Sequence, residues 1–482
     1  MQKKFIINII LFLFLNLLIK PFWIFGIDRT VQNIVGAEIY GLYFALFNLT
    51  LIFNALLDFG IVSYNSRNVA FSNDFLHDNF SRLFTLRLLL GVFYMLVVAV
   101  AGLLVGYKGM AFQLLIVLII NQFLAGLILY LRSNISGLLM FKTDSILSVL
   151  DRLIMIICCS ILIWGNVTHK PFEIQWFAYC QTFAYLFTIA ICLPLVLRKT
   201  TFKPPYWDFT YFRKILIQVF PFALLTIITA IHNRVDGVLL ERMLPAGIGS
   251  QQAGIYASAY RLLDAAIIVA YVFSVLLLPY FSKLLGEKQN IVPLLKTAFT
   301  LIFIYGVGLS LTALFYGGNL MSLLYKDHIA DSAQIFVVLM PAIAPLAATY
   351  IFGTLLTANG NLKRLNYIAI IALIINILTN LLLIPFLQAK GSAIACIVTQ
   401  FFIIIAEVVS AVQIFGLKPD KKYLFFHLIF LILATISGIL ISHLTQHWEI
   451  NLLIFLLILL ILCFLTKILK PKLLITLLKN NF

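Results

Sequence analysis

Charge is scarce in this chain: 11% of its 482 residues are Asp, Glu, Lys or Arg, less than half of what a soluble domain carries. That excludes a water-facing surface over most of the molecule. Polar connecting chain is equally short. The longest polar connection, Tyr64 to Arg82, is too short for a soluble domain. The alternation of apolar and polar residues that marks a transmembrane β-barrel is missing. So is a Walker-type glycine loop, which excludes an ATP-driven mechanism within this chain. The six cysteines, Cys158, Cys159, Cys180, Cys192, Cys396 and Cys463, lie in apolar runs without metal-ligand spacing and read as small core hydrophobes. His443 and His447 stand beside Glu449 but not in the order His-Glu-x-x-His, so no metal site is read there. No cofactor is expected.

What fills the chain instead is hydrocarbon. Hydrophobic residues make up 63%, mean hydropathy is +1.07, and apolar runs recur that are long enough to cross a ~30 Å hydrocarbon core. About fourteen transmembrane helices are expected, at 5–27, 39–63, 83–105, 110–130, 145–165, 174–197, 215–240, 253–280, 294–316, 334–358, 365–387, 391–415, 423–443 and 450–468. The start Met-Gln-Lys-Lys-Phe is like a signal-peptide n-region, but the apolar run continues too far and no small-residue cleavage site follows, so it reads as a first retained helix.

Basic residues set the orientation. With the N-terminus inside, about 24 of the 34 Lys and Arg, Arg87 among them, fall in inner segments, against about six outside. The asymmetry places both termini in the cytoplasm. The net charge of +16 is then topology, its partner the anionic inner leaflet of the bilayer, and nucleic acid is not implied.

Four cations remain inside spans, Lys20, Arg152, Arg234 and Arg261, with the acids Asp58, Asp151, Asp236, Asp264 and Glu407. An ionised side chain at that depth costs at least ~2.5–3.5 kcal/mol, so each should face a partner or a wet cavity.

An internal repeat links the second and eighth spans. Gly41-Leu42-Tyr43-Phe44-Ala45-Leu46-Phe47-Asn48-Leu49 matches Gly254-Ile255-Tyr256-Ala257-Ser258-Ala259-Tyr260-Arg261-Leu262, and each copy follows a span ending in an aspartate, Asp28 or Asp236. An even number of spans separates the copies, so the halves should share one topology about an axis along the membrane normal. The expected organisation is an N-terminal six-helix lobe, 1–204, a C-terminal lobe, 205–416, and two additional helices in 417–482. The first boundary rests on the basic, proline-containing Arg198-Lys199-Thr200-Thr201-Phe202-Lys203-Pro204-Pro205, which breaks helix continuity.

The segments Val35-Gly36-Ala37-Glu38-Ile39-Tyr40-Gly41, Leu57-Asp58-Phe59-Gly60 and Arg234-Val235-Asp236, with Ala253 to Arg261, resemble the polysaccharide transporter family. These are the Wzx-type O-antigen and capsule flippases of the multidrug/oligosaccharidyl-lipid/polysaccharide exporter superfamily. The resemblance implies an all-α membrane fold of two parallel pseudo-symmetric lobes. It also implies translocation of an undecaprenyl-diphosphate-linked oligosaccharide across a bacterial inner membrane, coupled to an ion gradient, with a polysaccharide polymerase and assembly proteins as partners.

An anionic sugar diphosphate needs fixed cations, and the planar fork of Arg holds it better than Lys. Arg234, Arg261 and Lys20, all expected in the outer half of their spans, form a candidate cluster. Arg261 and Asp264, three apart on one helix face, could instead neutralise each other, and Lys20 could snorkel. Arg152 either receives the diphosphate or pairs with Asp58 or Glu407. Asp58 reads as a cap before an ion carrier, and Asp264 and Glu407 are the carboxylates open to ion coupling. Asp236 lies on a different face from Arg234. Among enzymes, a membrane glycan polymerase or ligase would use the same substrate, but such enzymes present long external loops. A lipid II flippase and a multidrug antiporter remain open within the superfamily.

Overall fold

The computed structural model describes residues 15–16, 18–71, 73–165, 167, 170–200, 207–442, 444–466 and 468, and every element among them is helical. Most of the first expected span, the break at 201–206, His443 and the basic residues after Thr466 lie outside the described residues.

In chain order the helices are a π-helical turn at Trp23–Asp28, then α1 (Arg29–Ile52), α2 (Ala55–Asp58), α3 (Ile61–Phe71), α4 (Asn73–Val105), α5 (Gly109–Gly137), α6 (Phe141–Trp164), α7 (Ile174–Leu197) and α8 (Phe209–Met243). They continue with α9 (Ile248–Gly286), α10 (Val292–Leu324), α11 (Ile329–Leu339), α12 (Ile343–Ala358), α13 (Leu362–Leu387), α14 (Ala389–Phe415), α15 (Lys421–Ile441) and α16 (Trp448–Leu465). Thirteen stretches among the described residues are long and apolar enough to cross a membrane. The last twelve coincide with the third to fourteenth expected spans, and the first takes in the end of the first expected span and most of the second.

The first of them, Leu18–Asp58, is 41 residues long. At 1.5 Å per residue that is about 60 Å, twice the hydrocarbon thickness. The chain resolves the excess at Gly36, whose φ of 82° and ψ of 167° are open to glycine and strained for any residue with a Cβ. One helix therefore ends at Val35 and another starts at Ala37. The first span thus runs eight residues beyond the end expected from the sequence, a difference that moves Lys20 (below).

A second difference concerns Tyr64 to Arg82, expected as a polar connection. It is helical, formed by α3 and the start of α4. Asn65 and Ser66 of α3 face matching groups on α5: Asn65 donates to Ser133 Oγ at 2.8 Å and Asn134 Oδ1 at 2.9 Å, Ser66 meets Ser136 at 3.2 Å, and Val69 packs where a Cβ on Gly137 would stand.

The chain divides into two compact units, Met1–Ala257 and Ser258–Phe482. In the first, Leu76, Phe80 and Leu83 of α4 pack with Tyr130 and Leu131 of α5 and Phe212 of α8. In the second, Phe281 of α9 and Ile302 of α10 pack with Ile351 of α12 and Ala411 of α14. The two final helices are sewn onto α10: Phe430, Phe455 and Leu459 cluster with Val307 and Leu311, and Gly438 receives the ring of Phe315. None of the six cysteines is in a disulfide; five are buried and Cys158 is half-buried.

The leading glycines of the two repeat copies meet within the first unit. A Cβ on Gly41 would stand 1.8 Å from Ser250 O, and one on Gly254 would stand 1.9 Å from Ala37 O. Ala37 is four residues before Gly41, and Ser250 is four before Gly254, so the two contacts are equivalent in the repeat register. The segments thus cross as a two-fold pair does, each glycine admitting the other copy's backbone. The equivalent aspartates behave alike: Asp28 accepts from Tyr40 OH at 2.9 Å and Asp236 from Tyr256 OH at 3.0 Å.

Candidate functional site

Three helices of the first unit bring two of the four expected cations, Lys20 and Arg152, together. The helix ending at Val35 carries Lys20 and Trp23, α6 carries Asp151 and Arg152, and α7 carries Phe177, Gln181 and Tyr185. The Arg152 guanidinium lies 5.5 Å from the centre of the Trp23 indole, which stacks on Phe177 with centroids 5.5 Å apart. Phe177 meets Tyr43 edge-on at 5.4 Å, and Gln181 holds the Tyr43 hydroxyl at 2.9 Å. Arg152 also lies within electrostatic reach of Tyr185 and approaches Met155 Sδ at 3.4 Å. The result is an arginine laid on an aromatic floor, which attracts a cation through the ring face and fixes its plane.

Its acidic partner is held loosely. Arg152 Nε is 3.7 Å from Asp151, against ~2.7–2.9 Å for a charge-assisted hydrogen bond. Asp28, also within electrostatic reach, spends an oxygen on Tyr40. Much of the guanidinium's donor capacity is thus turned to neutral groups, and such a fork can be taken over by a phosphate. Lys20 is the second cation here, within electrostatic reach of Arg152, Asp151 and Arg132; Arg132 is itself matched by Asp144 at 2.8 Å.

This placement corrects two expectations. Lys20 is not in the outer half of its span: with the helix continuing to Val35, it lies about 24 Å before the Gly36 turn at ~1.5 Å per residue, level with Arg152 near the middle of α6. Arg152 pairs with its own neighbour Asp151, not with Asp58 or Glu407. Asp58 belongs to a different arrangement. It accepts from the backbone N–H groups of Gly60 (3.2 Å) and Val62 (3.1 Å), capping the entry to α3, and it pairs with Arg87 at 3.4 Å. Arg87, counted from the sequence among the inner-segment cations, is 2% exposed. Its guanidinium occupies the space that a side chain on Gly126 would need. The sequence signal was its position inside the 83–105 apolar run.

Arg234 lies on α8 beside Asp236, which Tyr256 engages. Arg261 and Asp264 lie on α9 in the second unit. Glu407 on α14 is buried against Gly353 of α12, and its Oε2 has no hydrogen-bond partner among the described residues. Other pairs of that unit are neutral: Ser392 donates to Asn380 Oδ1 at 2.8 Å, Asn380 donates to Asn376 O at 3.0 Å, and Ser274 meets Thr354 at 2.7 Å.

A cluster that sequence reasoning missed joins the α4–α5 turn to the end of α8. Tyr107 OH donates to Glu241 Oε2 at 2.9 Å, Arg242 pairs with Glu241 at 2.8 Å, and the guanidinium lies 3.7 Å over the Tyr107 ring. Burial and the Glu241 charge push the Tyr107 phenol above its usual range. Nothing in the sequence links residues this far apart.

A family model described as polysaccharide biosynthesis protein matches residues 8–285. The capsular polysaccharide biosynthesis protein CapF of Staphylococcus aureus is 26% identical over 199 residues, 40% of this chain and 49% of that protein; the match spans about half of its length. Among solved structures, the lipid II flippase MurJ in an inward closed conformation superposes with a TM-score of 0.70 over 94% of this chain and 98% of that one, at 16% identity. An inward-facing multidrug resistance MATE family transporter of the MOP superfamily gives 0.62 over 80% and 92%, at 15% identity. The fold is that of these membrane transporters.

Proposed function

The chain belongs to the polysaccharide biosynthesis protein family, and from that premise we propose that it is a flippase for lipid-linked oligosaccharide repeat units. It carries an undecaprenyl-diphosphate-linked glycan from the inner to the outer leaflet of a bacterial cytoplasmic membrane, with both termini in the cytoplasm. The observation that carries this reading is Arg152 on its aromatic floor beside Lys20: a cation at mid-membrane, stacked and loosely paired, is what a diphosphate head crossing hydrocarbon requires. Arg234 and Arg261 extend the cationic path, and Asp264, Glu407 and Asp236 are the carboxylates through which an ion gradient acts. The lobes of the proposal are 1–204 and 205–416, with 417–482 added, rocking in alternating access.

The close crossing of Gly41 and Gly254, and the Tyr107, Glu241 and Arg242 cluster, lie at the ends of helices that this orientation places outside. They form contacts that break when the pathway opens outward. The substrate then passes to a polysaccharide polymerase and its assembly proteins.

The test is deletion of the gene, scoring surface polysaccharide and lipid-linked repeat units by leaflet. Single units trapped on the inner leaflet are the expected result. Units that reach the outer leaflet but stay unpolymerised would assign the protein to polymerisation instead.

A further inference from the structure

Three acids are buried among the described residues, Asp28, Asp236 and Glu407. Asp28 and Asp236 each accept from a tyrosine hydroxyl, the kind of donor that a buried carboxyl needs. Glu407 of α14 differs. It is 6% exposed, and its Oε2 has no hydrogen-bond partner among the described residues. Its Oε1 lies 3.0 Å from where a Cβ on Gly353 would stand, so α12 meets the carboxyl with backbone and no side chain. The hydroxyls next along both helices are turned to backbone: Thr357 donates to Gly353 O and Ser410 to Ala406 O, each at 2.7 Å, and Thr354 donates to Tyr350 O.

Charge stays away from it. Helix α14 packs on α11, α12, α13 and the 3₁₀ turn Met340–Ala342, and that turn carries no ionisable group. Asp331 of α11 lies beside His328, and Tyr350 of α12 sets its ring edge-on to Tyr271 of α9. Arg364 of α13 bonds Gln413 Oε1, six residues past Glu407, with Lys363 and Tyr367 on the same first turns of α13. Lys390 begins α14, about 25 Å away along the helix at ~1.5 Å per residue. On α9, which shares a core with Ala411 of α14, Arg261, Asp264 and Lys283 are nine or more residues from Ser274, the residue that meets Thr354. Among the described residues Glu407 therefore has no ion pair. A hard metal cation asks for about six oxygen ligands. One carboxyl on a glycine face supplies two, which is enough for a proton.

We propose that Glu407 is the proton carrier of the transport cycle, neutral while α12 lies on α14 and ionised when the two part. A carboxyl closed in without a partner is stable only uncharged, so parting and proton loss go together. Glu407 stands about 12 Å before the end of α14 at ~1.5 Å per residue, an end that the proposed orientation places inside. A proton taken from outer water thus returns to cytoplasmic water: the O–H bond of the acid breaks, water accepts the proton, and no other bond changes. The proposal rests on the flippase reading and names the ion of its gradient.

Infrared spectroscopy of the full chain in phospholipid bilayers tests the carrier, with and without sodium ions, near pH 7, where an ordinary glutamate is ionised. The wild-type spectrum should hold a protonated-carboxyl band that Glu407→Gln diminishes, that Glu407→Asp shifts and that sodium leaves unchanged. A spectrum without that band, or a band indifferent to both substitutions, would overturn the proposal. So would a band that sodium abolishes, the mark of a metal ligand. In the deletion strain, at equal protein level, Glu407→Gln should leave surface polysaccharide near that of the empty strain, and Glu407→Asp should restore part of it. Wild-type polysaccharide from Glu407→Gln would reduce the acid to a structural role. Repeat units that are not trapped by gene deletion would instead sink the flippase reading, while the infrared band still reports on Glu407.

Discussion

The surroundings of Arg152 and those of Asn380 solve the same problem in opposite ways. Both are polar places inside apolar helices. In the first unit the solution is charge on aromatic rings: Arg152 over Trp23, loosely held by Asp151, with Lys20 alongside. In the second it is a neutral ladder in which Ser392, Asn380 and Asn376 pass hydrogen bonds between α13 and α14. A neutral ladder holds two helices together and asks for nothing from outside, whereas a loosely matched guanidinium keeps donors for a visiting anion. On the proposed function, binding and scaffold are thus separable in this molecule.

The most damaging way to probe the charged side is at a pair that is structural. Arg87→Ala empties a buried place beside Gly126 and takes from Asp58 its partner, and should cost ~2–5 kcal/mol, mostly as lost packing, read as loss of monodisperse protein after extraction; Arg87→Ala with Asp58→Asn should recover the smaller, electrostatic part of it. Glycines sharpen the same contrast. Gly41→Ala drives a methyl into Ser250 O and should cost ~3 kcal/mol or more. Gly308→Ala in the second unit, whose nearest neighbour is Leu459 Cδ1 at 3.8 Å, should leave the melting temperature unchanged.

On the neutral side, Asn380→Leu strands the Ser392 hydroxyl and should cost ~0.6–1.7 kcal/mol, seen as a lower thermal midpoint with normal transport. The smallest effect is at Asp420, outside the spans. The Lys296 ammonium at 2.6 Å and the Tyr423 N–H hold its carboxyl below the usual 3.8. A depressed carboxylate contributes stability above its unfolded value and loses it as pH falls through the folded one. Wild type should therefore melt slightly above Asp420→Ala at pH 5 to 7, and the two curves should converge below pH 3.8; a constant gap down to pH 2 would count against the ion pair.

The membrane-spanning runs were legible in the sequence because hydrocarbon thickness demands about twenty apolar residues each time, and the Gly41 and Gly254 repeat because a close crossing demands glycine at both places. Depth was less legible. The first helix passes its expected end at residue 27 and reaches Val35, because Arg29 and Gln32 belong to the same apolar-to-interface helix that Gly36 finally turns; Lys20 was accordingly read too shallow. Arg87 was miscounted because charge alone says loop, and its partner Asp58 is 29 residues away. The aromatic floor of Arg152 was beyond reach, since Trp23, Phe177 and Tyr43 come from three separate helices.

The measurement that bears most directly on the cationic site is complementation of the deletion strain with Arg152→Gln, at protein levels and melting temperature matched to wild type. The account predicts repeat units trapped on the inner leaflet, with surface polysaccharide reduced roughly ten- to a hundredfold, as loss of a charge-assisted contact of ~1.5–3 kcal/mol to the diphosphate gives. Wild-type surface polysaccharide from Arg152→Gln would contradict it.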